Sequence, residues 1–204
     1  MDENKPVYYT ISKPSEPVLI KIKKSKFFSY VYPVQNEAQC ESLLTALREE
    51  HKNANHVCYA YRLKNNEKHK YSDDGEPKNT AGYPIYGQLL SKELQNTLIA
   101  VVRYFGGVKL GSGGLVQAYK QSASVVLEKT PIIPFVEYCV AEVQCQLKDY
   151  DRVLHIISKF EAQIIEKNIT QSCRLKVQVK ENEFATLKES LDQLYPTKTI
   201  ALKN

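Results

Sequence analysis

All eight glycines of this chain lie between Gly75 and Gly114, and none follows. Glycine is the residue that permits positive φ and close approach of two backbones, so turns, ligand loops and tight crossings concentrate in that window. After the window, a long helical pattern breaks at Thr130-Pro131-Ile132-Ile133-Pro134, because proline cannot continue a helix. The break divides the chain into an expected first domain over residues 1–130 and a second over 131–204.

The remaining composition narrows the class. Hydrophobic residues make up 43% and charged residues 25%, enough apolar surface to form a packed core, which excludes a disordered or collagen-like chain. No apolar run reaches the ~18–20 residues of a membrane span, and MDENKPVYYT has no basic and apolar leader. Five cysteines at scattered spacing, without C-x-x-C, read as reduced thiols in a cytoplasmic protein, with no zinc set. No cofactor, metal or membrane partner is expected. The first 130 residues hold 18 basic and 13 acidic side chains, the rest ten of each, so the whole excess of +5 lies in the first part. This favours a polyanionic partner there, although a soluble surface has the same balance. The densest basic run, Lys21, Lys23, Lys24 and Lys26, reads as a solvated strand edge.

Periodicity places the elements. Residues 17–33 read as extended, with Pro33 as a stop, and 37–51 as a helix with Cys40, Leu43, Leu44 and Leu47 on one stripe. His56–Leu63 alternates as a strand, with His56, Cys58, Ala60 and Arg62 on one face and Val57, Tyr59, Tyr61 and Leu63 on the other. Leu98–Val102 is a continuous apolar run, as in a strand covered on both sides. Gly113–Lys129 reads as a helix. The second part reads β-α-β-β-α-β in about seventy residues, the split unit of ferredoxin-like folds. The first part reads only as mixed α/β.

Three segments carry candidate chemistry. Ser72-Asp73-Asp74-Gly75-Glu76-Pro77 places three carboxylates in a tight turn, able to hold a hard cation, to orient a basic side chain, or simply to turn. Asn79-Thr80-Ala81-Gly82-Tyr83-Pro84 offers Thr80 as a cap for a helix that starts at Pro84 or later. Arg103-Tyr104-Phe105-Gly106-Gly107-Val108-Lys109-Leu110-Gly111-Ser112-Gly113-Gly114 leaves a buried strand and enters a helix. Its free amides and the helix dipole suit an anion, Arg103, Lys109 and Lys120 add charge, and Tyr104 or Phe105 can stack on a base. The same residues equally describe a tight strand-to-helix connection. The loop matches neither G-x-x-x-x-G-K-[ST] nor G-x-G-x-x-G. His56 beside Cys58 reads as an acid–base group or a hydrogen-bonded structural histidine, whereas His51, His69 and His155 read as surface.

Taken in order, His56-x-Cys58-x-Ala60-Tyr61, Ser72-Asp73-Asp74-Gly75-Glu76-Pro77, Thr80-Ala81-Gly82-x-Pro84 and Arg103-Tyr104-Phe105-Gly106-Gly107-x-Lys109-Leu110-Gly111-x-Gly113-Gly114 resemble the YigZ/IMPACT family, and residues 131–204 resemble the C-terminal domain of its bacterial members. The resemblance implies an α+β fold class: an α+β first domain like the second domain of a small-subunit ribosomal protein and the fourth domain of elongation factor G, and a ferredoxin-like second domain like that factor's fifth. It implies a functional patch of His56, Tyr61, Asp73, Asp74, Gly75, Glu76, Arg103, Tyr104, Phe105, Gly106, Gly107, Gly111, Gly113 and Gly114. It also implies an RNA or ribosome partner, the usual inference for the bacterial members, while eukaryotic members regulate translation. The expected phosphate-contacting set is Arg103, Tyr104, Phe105, Gly106, Gly107, Lys109, Gly111, Ser112, Gly113, Gly114 and Lys120, with His56, Tyr61, Asp73, Asp74, Gly75 and Glu76 in support. Two alternatives stand beside it: an adaptor for a translation-control protein, and a Mg-dependent enzyme acting on a phosphate ligand, with His56 as base.

Overall fold

The computed structural model describes residues 8–63, 68–194 and 197–202. It divides into two compact units, one ending at Phe135 and one beginning at Val136. In chain order the first holds β1 (Tyr8–Ile11), β2 (Val18–Ile22), β3 (Ser25–Pro33), α1 (Glu37–Glu50), β4 (His56–Arg62), β5 (His69–Ser72), α2 (Gly82–Ser91), β6 (Thr97–Tyr104), α3 (Gly111–Glu128) and β7 (Ile132–Phe135). The proline-bearing segment at the expected boundary is thus a strand of the first unit. It pairs antiparallel with β1, Ile11 opposite Ile132.

Five strands form an antiparallel sheet in the order β2-β3-β6-β4-β5. Strand β6 is central and buried over Thr97–Arg103, as a continuous apolar run requires. Helices α2 and α3 cover one face, where Phe27, Val31, Cys58, Ala60, Ile99 and Val101 meet Ile85, Leu89, Leu115, Tyr119, Ala123 and Val126. On the other face α1 brings Cys40, Leu44 and Leu47 against Val57, Tyr61, Leu98, Ala100 and Val102. Each fully buried aliphatic side chain contributes roughly 1.5–3 kcal/mol. The two faces of β4 are those its alternation predicts. Helix α1 starts where Asn36 in extended conformation accepts from the Gln39 N–H, with Glu37 in its first turn and Arg48 in its last, both favourable to the dipole.

Three local expectations are corrected. Residues 17–33 are not one extended run but a hairpin, turned at Lys23 and Lys24, which both take positive φ (45° and 68°). Two-residue hairpin turns of this kind match the twist of the strands, but each non-glycine residue held there costs roughly 1 kcal/mol. Helix α2 begins at Gly82, two residues before Pro84, and not at the proline. A proline in the first turn has no intrahelical acceptor to lose. Thr80 is not its cap either: its hydroxyl donates to the Pro77 carbonyl, and Asp73 takes the capping role.

The second unit runs β8 (Tyr138–Gln146), α4 (Tyr150–Lys159), β9 (Gln163–Ile169), β10 (Ser172–Lys180), α5 (Phe184–Asp192) and β11 (Lys198–Leu202). Its antiparallel sheet has the order β11-β8-β10-β9. Val143, Leu175 and Val177 pack under Val153, Ile157, Leu187 and Leu191, so both helices lie on one face. This is the expected βαββαβ arrangement. No described helix is long and apolar enough to cross a membrane.

Candidate functional site

The centre of the site is an ion pair inside the first unit. Position 103 alternates onto the α2/α3 face of β6, where Arg103 is only 5% exposed. Its Nη1 donates to Glu76 Oε1 at 2.6 Å, and Nη2 donates to Ser25 Oγ at 3.3 Å. The guanidinium carbon lies 5.5 Å from the ring centroids of both Phe27 and Phe105. Taking two charges out of water is expensive, and the cost is offset only when further hydrogen bonds complete the pair. Glu76 Oε1 also accepts from the Tyr119 hydroxyl at 2.8 Å. Burial, with Cys58 and Glu76 beside it, pushes the Tyr119 phenol far above its usual range, so it remains a donor.

His56 completes this cluster. Its Nδ1 lies 2.7 Å from the Asp74 carbonyl oxygen, which can only accept, so Nδ1 carries the proton. Nε2 is thereby turned towards Glu76 Oε1, 3.8 Å away. Cys58, on the same strand face, donates from Sγ to the Asp73 carbonyl at 3.0 Å. Burial pushes its thiol well up, which opposes any nucleophilic role.

The three carboxylates of the acidic turn face three ways. Asp73 accepts from the N–H groups of Asn79, Ala81 and Gly82 and so caps α2. Asp74 accepts two bonds from Arg48 at 2.7 and 3.1 Å, and one from the Val57 N–H at 2.6 Å. Burial raises the Asp74 pKa, but the Arg48 and Val57 hydrogen bonds and the Arg48 charge outweigh it, and the net shift is downward. Glu76 belongs to Arg103. Among the described residues no group of His, Cys, Asp and Glu is arranged to hold a metal.

The glycine loop is fixed to this cluster from outside. Ser25 Oγ accepts from the Gly106 N–H at 3.2 Å as well as from Arg103. A Cβ on Gly106 would lie 2.0–2.4 Å from the backbone of Lys24 and Ser25, so only glycine lets the loop rest against the hairpin turn. The Phe105 N–H is held by Asn55 Oδ1 at 2.8 Å, and the ring remains 44% exposed. Helix α3 then opens at Gly111 with no side-chain cap. Gly111, Ser112 and Gly113 are exposed, as are Lys109 and Lys120.

The structure therefore gathers His56, Gly75, Glu76, Arg103, Phe105 and Gly106 into one neighbourhood, where a Cβ added at Gly75 would lie 3.6–3.7 Å from the His56 ring. It separates others. Arg103 is enclosed as the partner of Glu76 and does not face solvent, because a central strand has no open side. Tyr104 points to the opposite face, its hydroxyl 2.8 Å from His51 Nδ1 and its ring against Phe28. Tyr61 is near the far end of β4, opposite Leu98, and donates to Glu37. His51 is not a surface residue: its side chain is 9% exposed, between the hydroxyls of Tyr30 and Tyr104. Ser25, Tyr119, Arg48 and the lysine turn were not legible as parts of the site. For the turn a signal existed, since Lys23-Lys24 separates Val18, Ile20 and Ile22 from Phe27, Ser29 and Val31, two runs of alternate positions on one face.

Comparison with known proteins adds to this geometry. The Impact N-terminal domain model matches residues 23–127. The "IMPACT family member YvyE" of Bacillus subtilis is 32% identical over 191 residues, 92% of this chain and 86% of its own. The "IMPACT family member YigZ" of Escherichia coli is 30% identical over 172 residues, 80% and 83% of the two chains. A crystal structure of a hypothetical protein aligns with 97% of this chain and 98% of its own, at 25% identity and a TM-score of 0.66. The two-domain translational regulator Yih1 aligns over 57% of this chain and 44% of its own, at 26% identity and a TM-score of 0.36.

Proposed function

This chain belongs to the IMPACT family, as a bacterial YigZ/YvyE-type member, and on that premise we propose that it is a translation-associated protein that binds RNA through its glycine loop. The observation that carries the reading is the stretch Gly107–Gly113, exposed at every residue but the half-buried Leu110, which includes Lys109, follows the open ring of Phe105 and is anchored at Gly106 to a buried ion-paired cluster. The amides at the start of the 18-residue helix α3 suit a phosphate, and the helix dipole adds to the attraction. Phe105 offers a face on which a base can stack, worth ~1–3 kcal/mol. Arg103 enters as the residue that positions Phe105 and Gly106, in place of a direct contact. An anchored loop loses little entropy on binding.

The test is fluorescence anisotropy with a labelled single-stranded RNA oligonucleotide. Wild type binds in the micromolar range and weakens steeply with salt. Gly113→Asp puts a carboxylate where an added Cβ meets nothing within 4 Å. In the first turn an acid favours the helix, so this variant is at least as stable as wild type and binds RNA at least tenfold more weakly. Unchanged binding by a folded Gly113→Asp protein overturns the reading.

A further inference from the structure

The β2–β3 turn is built against its own stability. Lys23 and Lys24 hold positive φ, where asparagine followed by glycine is the unstrained choice. Lys21 and Lys26 stand directly opposite each other on the two strands, and like charges in that register repel. All four side chains are exposed, and none has an ion-pair partner among the described residues. Strain and repulsion at one place are best read as the cost of a function.

The turn is also held still. Gly106 rests on the backbone of Lys24 and Ser25, and Ser25 Oγ takes the Gly106 N–H together with Arg103 Nη2. The backbone of the Lys23–Lys24 turn is therefore held at a set offset from the amides of Gly107–Gly113, while Lys21 and Lys26, in register with Tyr104, project beside it on the α1 face. Two devices for holding phosphate, free backbone amides and lysine point charges, meet at one seam.

We infer that the Lys21–Lys26 turn is a second arm of the RNA site, taking successive phosphates of a strand whose neighbouring phosphates meet the glycine loop. The inference rests on the loop reading and extends it to residues on another element. Nucleic acid fits better than an acidic protein. Lysine is depleted in protein–protein contacts, which are anchored by aromatic side chains and arginine. A phosphodiester strand instead supplies closely spaced charge and releases counterions when bound.

The experiment pairs stability with binding. Lys23→Asn combined with Lys24→Gly installs the unstrained turn and removes two charges. Lys21→Thr combined with Lys26→Thr removes the repelling pair and keeps good strand formers. Each protein is melted, then titrated with the labelled RNA across a salt series, and with polyglutamate as an acidic polypeptide. The expected result is a thermal midpoint raised by several degrees for the turn variant, with RNA affinity lowered at least tenfold for both. The slope of log affinity against log salt falls by about 1.4–1.8 for each, the value for two phosphate contacts. If both pairs fold and bind RNA with wild-type affinity and slope while Gly113→Asp binds weakly, the second arm is refuted and the loop reading stands. If wild type does not bind RNA, both fall. If polyglutamate binds as tightly as RNA and loses affinity in the same variants, the assignment to RNA is wrong.

Discussion

Glu76 Oε1 stands 2.6 Å from Arg103 Nη1, with the two side chains 4% and 6% exposed, and that single pair ties the acidic turn to the central strand. Through Ser25 the same guanidinium reaches the lysine hairpin, and through Phe105 it reaches the glycine loop. The pair is thus the structural hub of the surface proposed to bind RNA, though it does not form that surface.

Breaking the pair from one side leaves the other charge buried without a partner, which costs about 3–5 kcal/mol. Arg103→Met and Glu76→Gln are each expected to lose stability on that scale in urea titrations. The double variant Arg103→Met/Glu76→Gln recovers part of it, since no uncompensated charge remains. Additive losses in this cycle would show that the two residues do not act as a pair.

Glycines in the same loop differ in what they do. Gly106→Ala must push apart the loop and the Lys24–Ser25 backbone, and overpacking of this kind costs about 1–3 kcal/mol. Gly113→Ala meets nothing and lies within α3, where alanine is better than glycine by about 1 kcal/mol. Chemical denaturation of the two variants should move in opposite directions.

Asp74 makes part of the stability depend on acid. Its folded pKa lies below the ordinary carboxylate value, so its contribution is complete above the unfolded pKa of ~3.9 and disappears as pH falls through the lower folded value. Asp74→Asn tolerates the positive φ of this position but loses the Arg48 ion pair. The gap in thermal midpoint between wild type and Asp74→Asn should be largest near neutral pH and close below about pH 4. A gap that persists unchanged at pH 3 would contradict the assignment.

The thiols differ in access. Cys40, Cys58, Cys145 and Cys173 are buried, and Cys139 is only partly so. Burial raises the thiols of Cys40, Cys58 and Cys145, the last to about 11, and also that of Cys139, so access and not acidity separates them. Alkylation of the native protein followed by peptide mass mapping should find Cys139 modified first and the others only on unfolding. Fast labelling of Cys58 would revive a reactive Cys–His reading.

The chain's local patterns determined much of this protein. The alternation of His56–Arg62 set both faces of β4, the stripe of Cys40, Leu44 and Leu47 set α1, and the order of patterns after residue 135 set a βαββαβ unit. These follow from periods of 2 and 3.6 residues, which depend on near neighbours alone. The motif residues also identified the family. What tertiary structure decided was which charges face water. Arg103, Asp73 and Glu76 are polar letters in a row until strand order encloses the first, α2 claims the second and Tyr119 joins the third. The lysine run reads as an edge until Gly106 is found seated on its turn, 81 residues from Ser25 in sequence. A contact across that distance leaves no period in the chain, because it is selected by the packing of the whole sheet and by the single position where a missing Cβ allows two backbones to meet.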